Sequence, residues 1–118
     1  MPEQYENVSL DDLVEYSKSM YEYWTEDDFA SSFRKMLTIE QFRSKEMQNL
    51  YQQYLVAGPA SYVKDLFDSM GFTNAKDKAV RFYAVMHFYY SLYDGAEDKE
   101  NVKDEFVSAI KSLVQNLK

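Results

Sequence analysis

The sequence contains no cysteine, one histidine, one tryptophan, two prolines and three glycines in 118 residues. Without cysteine there is no disulfide framework, no thiolate zinc site and no thiol nucleophile, and a reducing compartment suits the chain, so a cytoplasmic location is expected. Three isolated glycines cannot build a phosphate-cradling loop. A single histidine, His87, excludes the paired histidine signatures of zinc and di-metal helical sites. Basic residues are also scarce: 13 Lys and Arg stand against 20 Asp and Glu, a net charge of −7. A field of that sign repels phosphate backbones, so this chain alone is a poor nucleic-acid binder. No apolar run approaches the roughly 18–20 residues of a membrane span, and no membrane partner is expected. The acidic doublets Asp11-Asp12 and Asp27-Asp28 sit at helix starts, where the dipole explains them, and the run Asp94 to Glu100 lacks calcium-loop spacing. Nothing amounts to a catalytic constellation. Neither enzymatic activity nor a cofactor is expected, and no metal site.

What the chain has in abundance is rings. Eleven Tyr, eight Phe and one Trp make 17% of it. A buried tyrosine needs a partner for its hydroxyl, so such a composition points to a core with a wet cavity or to an interface. The glycines and prolines fall where a helical reading needs breaks. Ser9 can cap a helix over about 10–23, whose stripe is Leu10, Leu13, Val14, Met20, Tyr21 and Trp24. Thr25 is expected to cap the next helix, with Asp28 completing an acidic capping box and Phe29, Phe33, Met36, Leu37 and Phe42 forming its apolar face. Ser44 opens a third, with Met47, Leu50, Tyr51, Tyr54 and Leu55. Gly58-Pro59 then reads as a left-handed stop followed by a new start. A fourth helix carries Tyr62, Val63, Leu66, Phe67 and Met70 to Gly71. Asn74 caps a fifth, which runs to Asp94-Gly95, and a sixth carries Val102, Phe106, Ala109, Ile110, Leu113 and Leu117. No segment alternates as a strand would. The expected fold is all-α: about six helices in an orthogonal or antiparallel bundle, one domain over 1–118, with 1–8 as an N-terminal extension.

The fifth helix is apolar in almost every direction. From Ala79 to Tyr93 only Arg81, His87 and Ser91 interrupt it. A helix apolar all round must be covered all round. It either forms the centre of a monomeric bundle or pairs, with the sixth helix, against a second copy in a four-helix arrangement. The homodimer is favoured, through Val85, Phe88 and Leu92 of the fifth helix and Phe106, Ile110, Leu113, Val114 and Leu117 of the sixth. On the opposite face of the fifth helix, Val80, Tyr83, His87 and Tyr90 recur at three- and four-residue spacing. With Phe33, Met36, Tyr54, Tyr62, Leu66 and Met70 these supply the lining of a pocket between helices, apolar with polar tips. A close-packed core without a cavity is the competing reading.

The stretch Met36 to Phe67 resembles the C-terminal regulatory domains of TetR/AcrR-type transcriptional regulators. The residues that carry the resemblance are Leu37, Thr38, Gln41, Phe42, Leu50, Tyr51, Tyr54 and Pro59. Leu10 to Trp24 resembles the family's linking helix, and the final hairpin its dimerising pair. The resemblance implies a ligand-sensing domain whose small, mostly apolar effector shifts the linking helix, and so the spacing of two DNA readers. The family's N-terminal helix-turn-helix has no counterpart here. A regulator cut down to its sensing half is therefore the expectation, with DNA reached only through that missing domain. The alternative, from another class, is a helical protein-interaction or scaffold module with a filled core and no ligand.

Overall fold

The computed structural model describes residues 8–117, and they are all-helical, with no strand among them. Six helices follow one another: α1 (Leu10–Glu26), α2 (Asp28–Glu40), α3 (Lys45–Leu55), α4 (Ala57–Ser69), α5 (Ala75–Gly95) and α6 (Lys99–Gln115). Most of the expected extension over 1–8 lies outside the described residues. Val8 packs against the core.

Local chemistry explains most of the boundaries. The Ser9 hydroxyl accepts from the Asp12 amide while the Asp12 carboxylate accepts from the Ser9 amide, a reciprocal capping box. These bonds hold the Asp12 carboxyl below the usual carboxylate range. Ser44 caps α3 through the Met47 amide. Gly71, at φ +83°, takes the left-handed turn after α4 that a side chain would resist.

Two expected breaks are corrected, and a third keeps its place without a side-chain bond. Thr25 is buried inside α1, its hydroxyl donating to the Tyr21 carbonyl at 2.6 Å, and the cap of α2 is Asp27, which accepts from the Ala30 amide. Asn74 opens α5 in a left-handed conformation, with no side-chain cap bond. Gly58 is not a left-handed stop. Val56 makes the break at φ −134°, ψ −86°, and Gly58 lies in the first turn of α4. A Cβ on Gly58 would stand 1.8 Å from the Gln53 carbonyl oxygen, so glycine is there to let two backbones touch.

The main core lies between α1, α4, α5 and α6. Tyr21 is fully buried, stacked on Phe106 at 4.0 Å between ring centroids and on Tyr90 at 5.6 Å. Its hydroxyl donates to the Tyr89 carbonyl at 2.7 Å, which satisfies the one polar atom such a ring brings inside. Phe67 packs edge-on to Phe72 and Phe82 below. A second, smaller core of Leu37, Tyr51 and Leu55 holds α2 to α3, with Trp24 touching both clusters.

The face expected on α2 is rotated. Phe29 and Phe42 are 76% and 84% exposed, and Met36 is exposed too, while Ala30, Ser31, Arg34 and Leu37 face inward. The reason is Arg34. Its guanidinium makes a bidentate pair with Asp94 of α5 at 2.6 and 2.8 Å, and its Nε donates to the Trp24 carbonyl at the end of α1. A fork with its charge paired and its donors used is stable inside, and it fixes which side of α2 turns in.

The expected pairing surface is corrected in the same way. Phe106, Ile110, Val114 and Leu117 are all buried in this chain's own core, against α1 and α5, and have no surface left for a second copy. Val85 and Leu113 are partly buried against that core. Phe88 is 59% exposed, and Leu92 is exposed as well. The fifth helix is the centre of the bundle, covered by α1, α4 and α6, with a strip of Val80, Phe88 and Leu92 left outside.

Candidate functional site

A cleft of about 240 Å³ opens between α1 on one side and the end of α3, the start of α4 and the middle of α5 on the other. Its walls are Tyr16, Met20 and Trp24 from α1, Gln53 and Tyr54 from α3, Gly58, Pro59 and Tyr62 from α4, and Tyr83, Met86 and Tyr90 from α5. Six of these eleven residues are aromatic. Tyr16, Met20 and Trp24 recur every four residues and so stand on one side of α1. Tyr16 and Tyr62, both largely exposed, face each other at 6.4 Å and form the outer rim. The close approach of Gly58 to Gln53 brings the α3–α4 junction in as the floor.

The polar groups of the cleft differ in how they are spent. The Tyr83 hydroxyl donates to the Leu55 carbonyl at 2.6 Å, which ties α5 to the end of α3. Tyr90 is 4% exposed, with Tyr21 stacked on its ring and the Arg34 guanidinium 5.2 Å from its centroid. Burial pushes the hydroxyls of Tyr21, Tyr83 and Tyr90 well above the usual phenol range, so all three are neutral donors. The lining includes no Lys, Arg, Asp or Glu. Arg34 lies just behind it, already neutralised by Asp94.

Four of the residues expected to line a pocket do so: Tyr54, Tyr62, Tyr83 and Tyr90. The other five lie elsewhere. Leu66 is closed into the main core and Met70 packs beside it. Phe33 meets Tyr54 edge-on at 5.4 Å and packs against the second core, and Met36 is exposed. His87 lies one ring away from the cleft. Its Nε2 shares a hydrogen bond with the Tyr51 hydroxyl at 3.2 Å, and its ring lies against Tyr83. Burial and then Arg34 push its pKa below the ordinary value, so it is neutral near pH 7. Of the α1 wall, Met20 and Trp24 belong to the expected stripe and Tyr16 does not, and the sequence offers no sign that these residues face a cavity. Gly58 reads as a stop signal until the Gln53 backbone is seen beside it.

No family model, curated protein or solved structure matches the chain. The residues themselves must therefore carry the assignment. Among the described residues no three His, Asp or Glu side chains come together as a metal site requires. No described helix is long and apolar enough to cross a membrane. What the arrangement offers is an apolar, ring-lined recess with one wall, α1, on a helix that contacts it from one side only.

Proposed function

We propose that the chain is the ligand-sensing and dimerising domain of a TetR-type regulator, in which an effector bound between the helices alters DNA binding by a separate N-terminal helix-turn-helix reader. The observation that carries this reading is the cleft itself, ring-lined, uncharged and placed against α1. A ligand held there touches α1 and α5 at once. The Arg34 node joins the same two helices at the Trp24 end, so a change in cleft width is passed to the axis of α1. A population shift of this kind needs only that the ligand bind one arrangement better than the other. Pairing of two copies uses the outer strip of α5, Phe88 and Leu92, with the partly covered Val85 and Leu113 at its edge. Phe88→Glu then converts a dimer to a monomer in sedimentation without loss of helix.

Thermal unfolding in the presence of small neutral ring compounds tests the ligand reading. A binder raises Tm, and above its Kd the rise grows with the logarithm of its concentration; Met86→Trp, which fills the cleft, removes that rise. A panel that leaves Tm unmoved at millimolar concentration speaks against the reading. The second reading, a protein-interaction module, has its own observation: three large apolar side chains on and after α2, Phe29, Ile39 and Phe42, are left mostly exposed. Such exposure is uncommon on a surface with no partner.

A further inference from the structure

The cleft holds one almost fully covered hydroxyl that the fold leaves without a protein partner. The Tyr83 hydroxyl is committed to a carbonyl, and so is that of Tyr21. Among the described residues, none hydrogen-bonds the Tyr90 hydroxyl, although Tyr90 is 96% covered, the complement of its 4% exposure. Tyr21 stacks on its ring and the Arg34 guanidinium lies over it, so the hydroxyl is the polar atom that Tyr90 has left to offer the cleft. No buried polar side-chain atom among the described residues is sealed away without a partner, so this hydroxyl opens onto the cleft rather than into the core.

An occupant that displaces water from this hydroxyl leaves a donor unmet, at a cost, unless it brings an acceptor of its own. The remainder of the wall sets the other requirements. Rings and thioethers from Trp24, Met20, Met86 and Tyr83 favour a flat apolar body through stacking and sulfur–ring contact. An anion would find no basic lining residue, and Arg34 is held bidentately by Asp94. An anion would lose its water without compensation, and a cation would be offered ring faces but no carboxylate to neutralise it. The size is also bounded, since a dry apolar cavity of roughly 150 Å³ holds a benzene ring and this one is about 240 Å³.

We infer that the cleft selects a small, flat, uncharged ring compound carrying one hydrogen-bond acceptor, a carbonyl or ether oxygen, which the Tyr90 hydroxyl receives. This rests on the reading of the cleft as a ligand site. It adds the chemical class and names the residue that discriminates.

The test uses three probes of one size and the single indole N–H signal of Trp24, which lines the cleft, in a proton–nitrogen spectrum. Acetophenone has the ring and the acceptor, ethylbenzene the ring alone, and benzoate the ring with a charge. The expected result is a saturable shift of the Trp24 signal with acetophenone at the lowest concentration, a weaker one with ethylbenzene and none with benzoate. Tyr90→Phe keeps the ring stack and removes the hydroxyl. It lowers acetophenone affinity about fivefold, the usual worth of a neutral hydrogen bond, and leaves ethylbenzene unchanged or improved. Equal acetophenone affinity in the two proteins, or benzoate binding as well as acetophenone, overturns the inference while leaving a ligand cleft in place. A Trp24 signal that saturates with none of the three overturns both the inference and the ligand reading beneath it. Thermal unfolding of Tyr90→Phe confirms that the comparison is between folded proteins.

Discussion

The α1–α4–α5–α6 core and the α2–α3 arm are built to different standards. The first is a continuous block in which Tyr21, Phe67 and Phe106 are fully buried and ring packs on ring. The second rests on Leu37, Tyr51 and Leu55 and on one polar node, while its outer face leaves Phe29, Ile39 and Phe42 in water. Arg34 gives the arm what its small core does not, a directional bond to α5 and to the end of α1. The cleft lies on the seam between the two. Its deep wall, Tyr83, Met86 and Tyr90, belongs to the rigid block, and Gln53 and Tyr54 belong to the arm. A site built on such a seam can be well defined on one side and yielding on the other, because local opening follows local density of packing.

The sharpest way to break this comparison is to remove one fully buried side chain from each region. Phe106→Ala empties the stack beneath Tyr21 and is expected to cost about 3–5 kcal/mol, the usual range for a buried phenylalanine. The whole denaturation curve moves, because α1, α5 and α6 meet there. Leu37→Ala is expected to cost less, about 2–3 kcal/mol, and its effect is concentrated in faster amide exchange over α2 and α3. If Leu37→Ala speeds exchange in α5 and α6 as much as in α2 and α3, the two regions are one cooperative unit.

The polar node comes next. Arg34→Ala removes a bidentate pair and the cap on the Trp24 carbonyl, at an expected cost of about 2–4 kcal/mol. The lower half of that range applies if Asp94, 29% exposed, recovers water. Arg34→Lys restores the charge but not the planar fork, so it recovers only part of the loss. Full recovery by lysine would show that charge, rather than geometry, joins the arm to the block. Gly58→Ala tests the floor of the cleft. The added methyl meets the Gln53 backbone, and the resulting shift is expected to cost about 1–3 kcal/mol, as overpacking does. It also weakens any ligand of the cleft more than it weakens the fold, and that ratio is the measurement to make.

How much of this could be read in advance depends on what each residue type signals. The breaks at Ser9, Ser44, Gly71 and Asp94-Gly95 carry their chemistry in the residue itself, and α1, α3, α4 and α5 each begin or end within a residue or two of one of them. Periodicity failed on α2 because it counts rings as inward and arginine as outward. The partner that lets Arg34 turn in, Asp94, lies 60 residues away and leaves no local trace. Thr25 was legible as a cap by type, but a threonine hydroxyl can equally donate back to a carbonyl four residues earlier, as it does here to Tyr21. The site was half legible for a similar reason. Tyr83 and Tyr90 share a face with His87, yet that face is wide enough for two neighbours, and the third residue turns to Tyr51 of α3 instead of to the cleft.

His87 supplies the smallest and most selective test. It bridges the two regions, bonded to Tyr51 of the arm and packed on Tyr83 of the block. Its pKa in the folded chain lies below the ordinary histidine value near 6.5, chiefly through burial and then through Arg34. Once the pH falls through about 6.5, the unfolded chain takes up a proton that folded His87 resists. The unfolded state then binds more protons, so stability falls with falling pH, from about 6.5 down to the lower folded value. The carboxyl of Asp12 acts in a separate window, since its stabilisation is lost only as pH drops below the ordinary carboxylate value of about 3.8. Comparing urea midpoints at pH 7 and pH 5 therefore isolates the histidine. His87→Phe is expected to flatten that interval while giving up the Tyr51 bond at both pH values. Amide exchange locates the effect. Loosening confined to α3 at pH 5 places the protonation at the seam, whereas uniform loosening of α5 and α6 would mean that His87 is part of the block's own core.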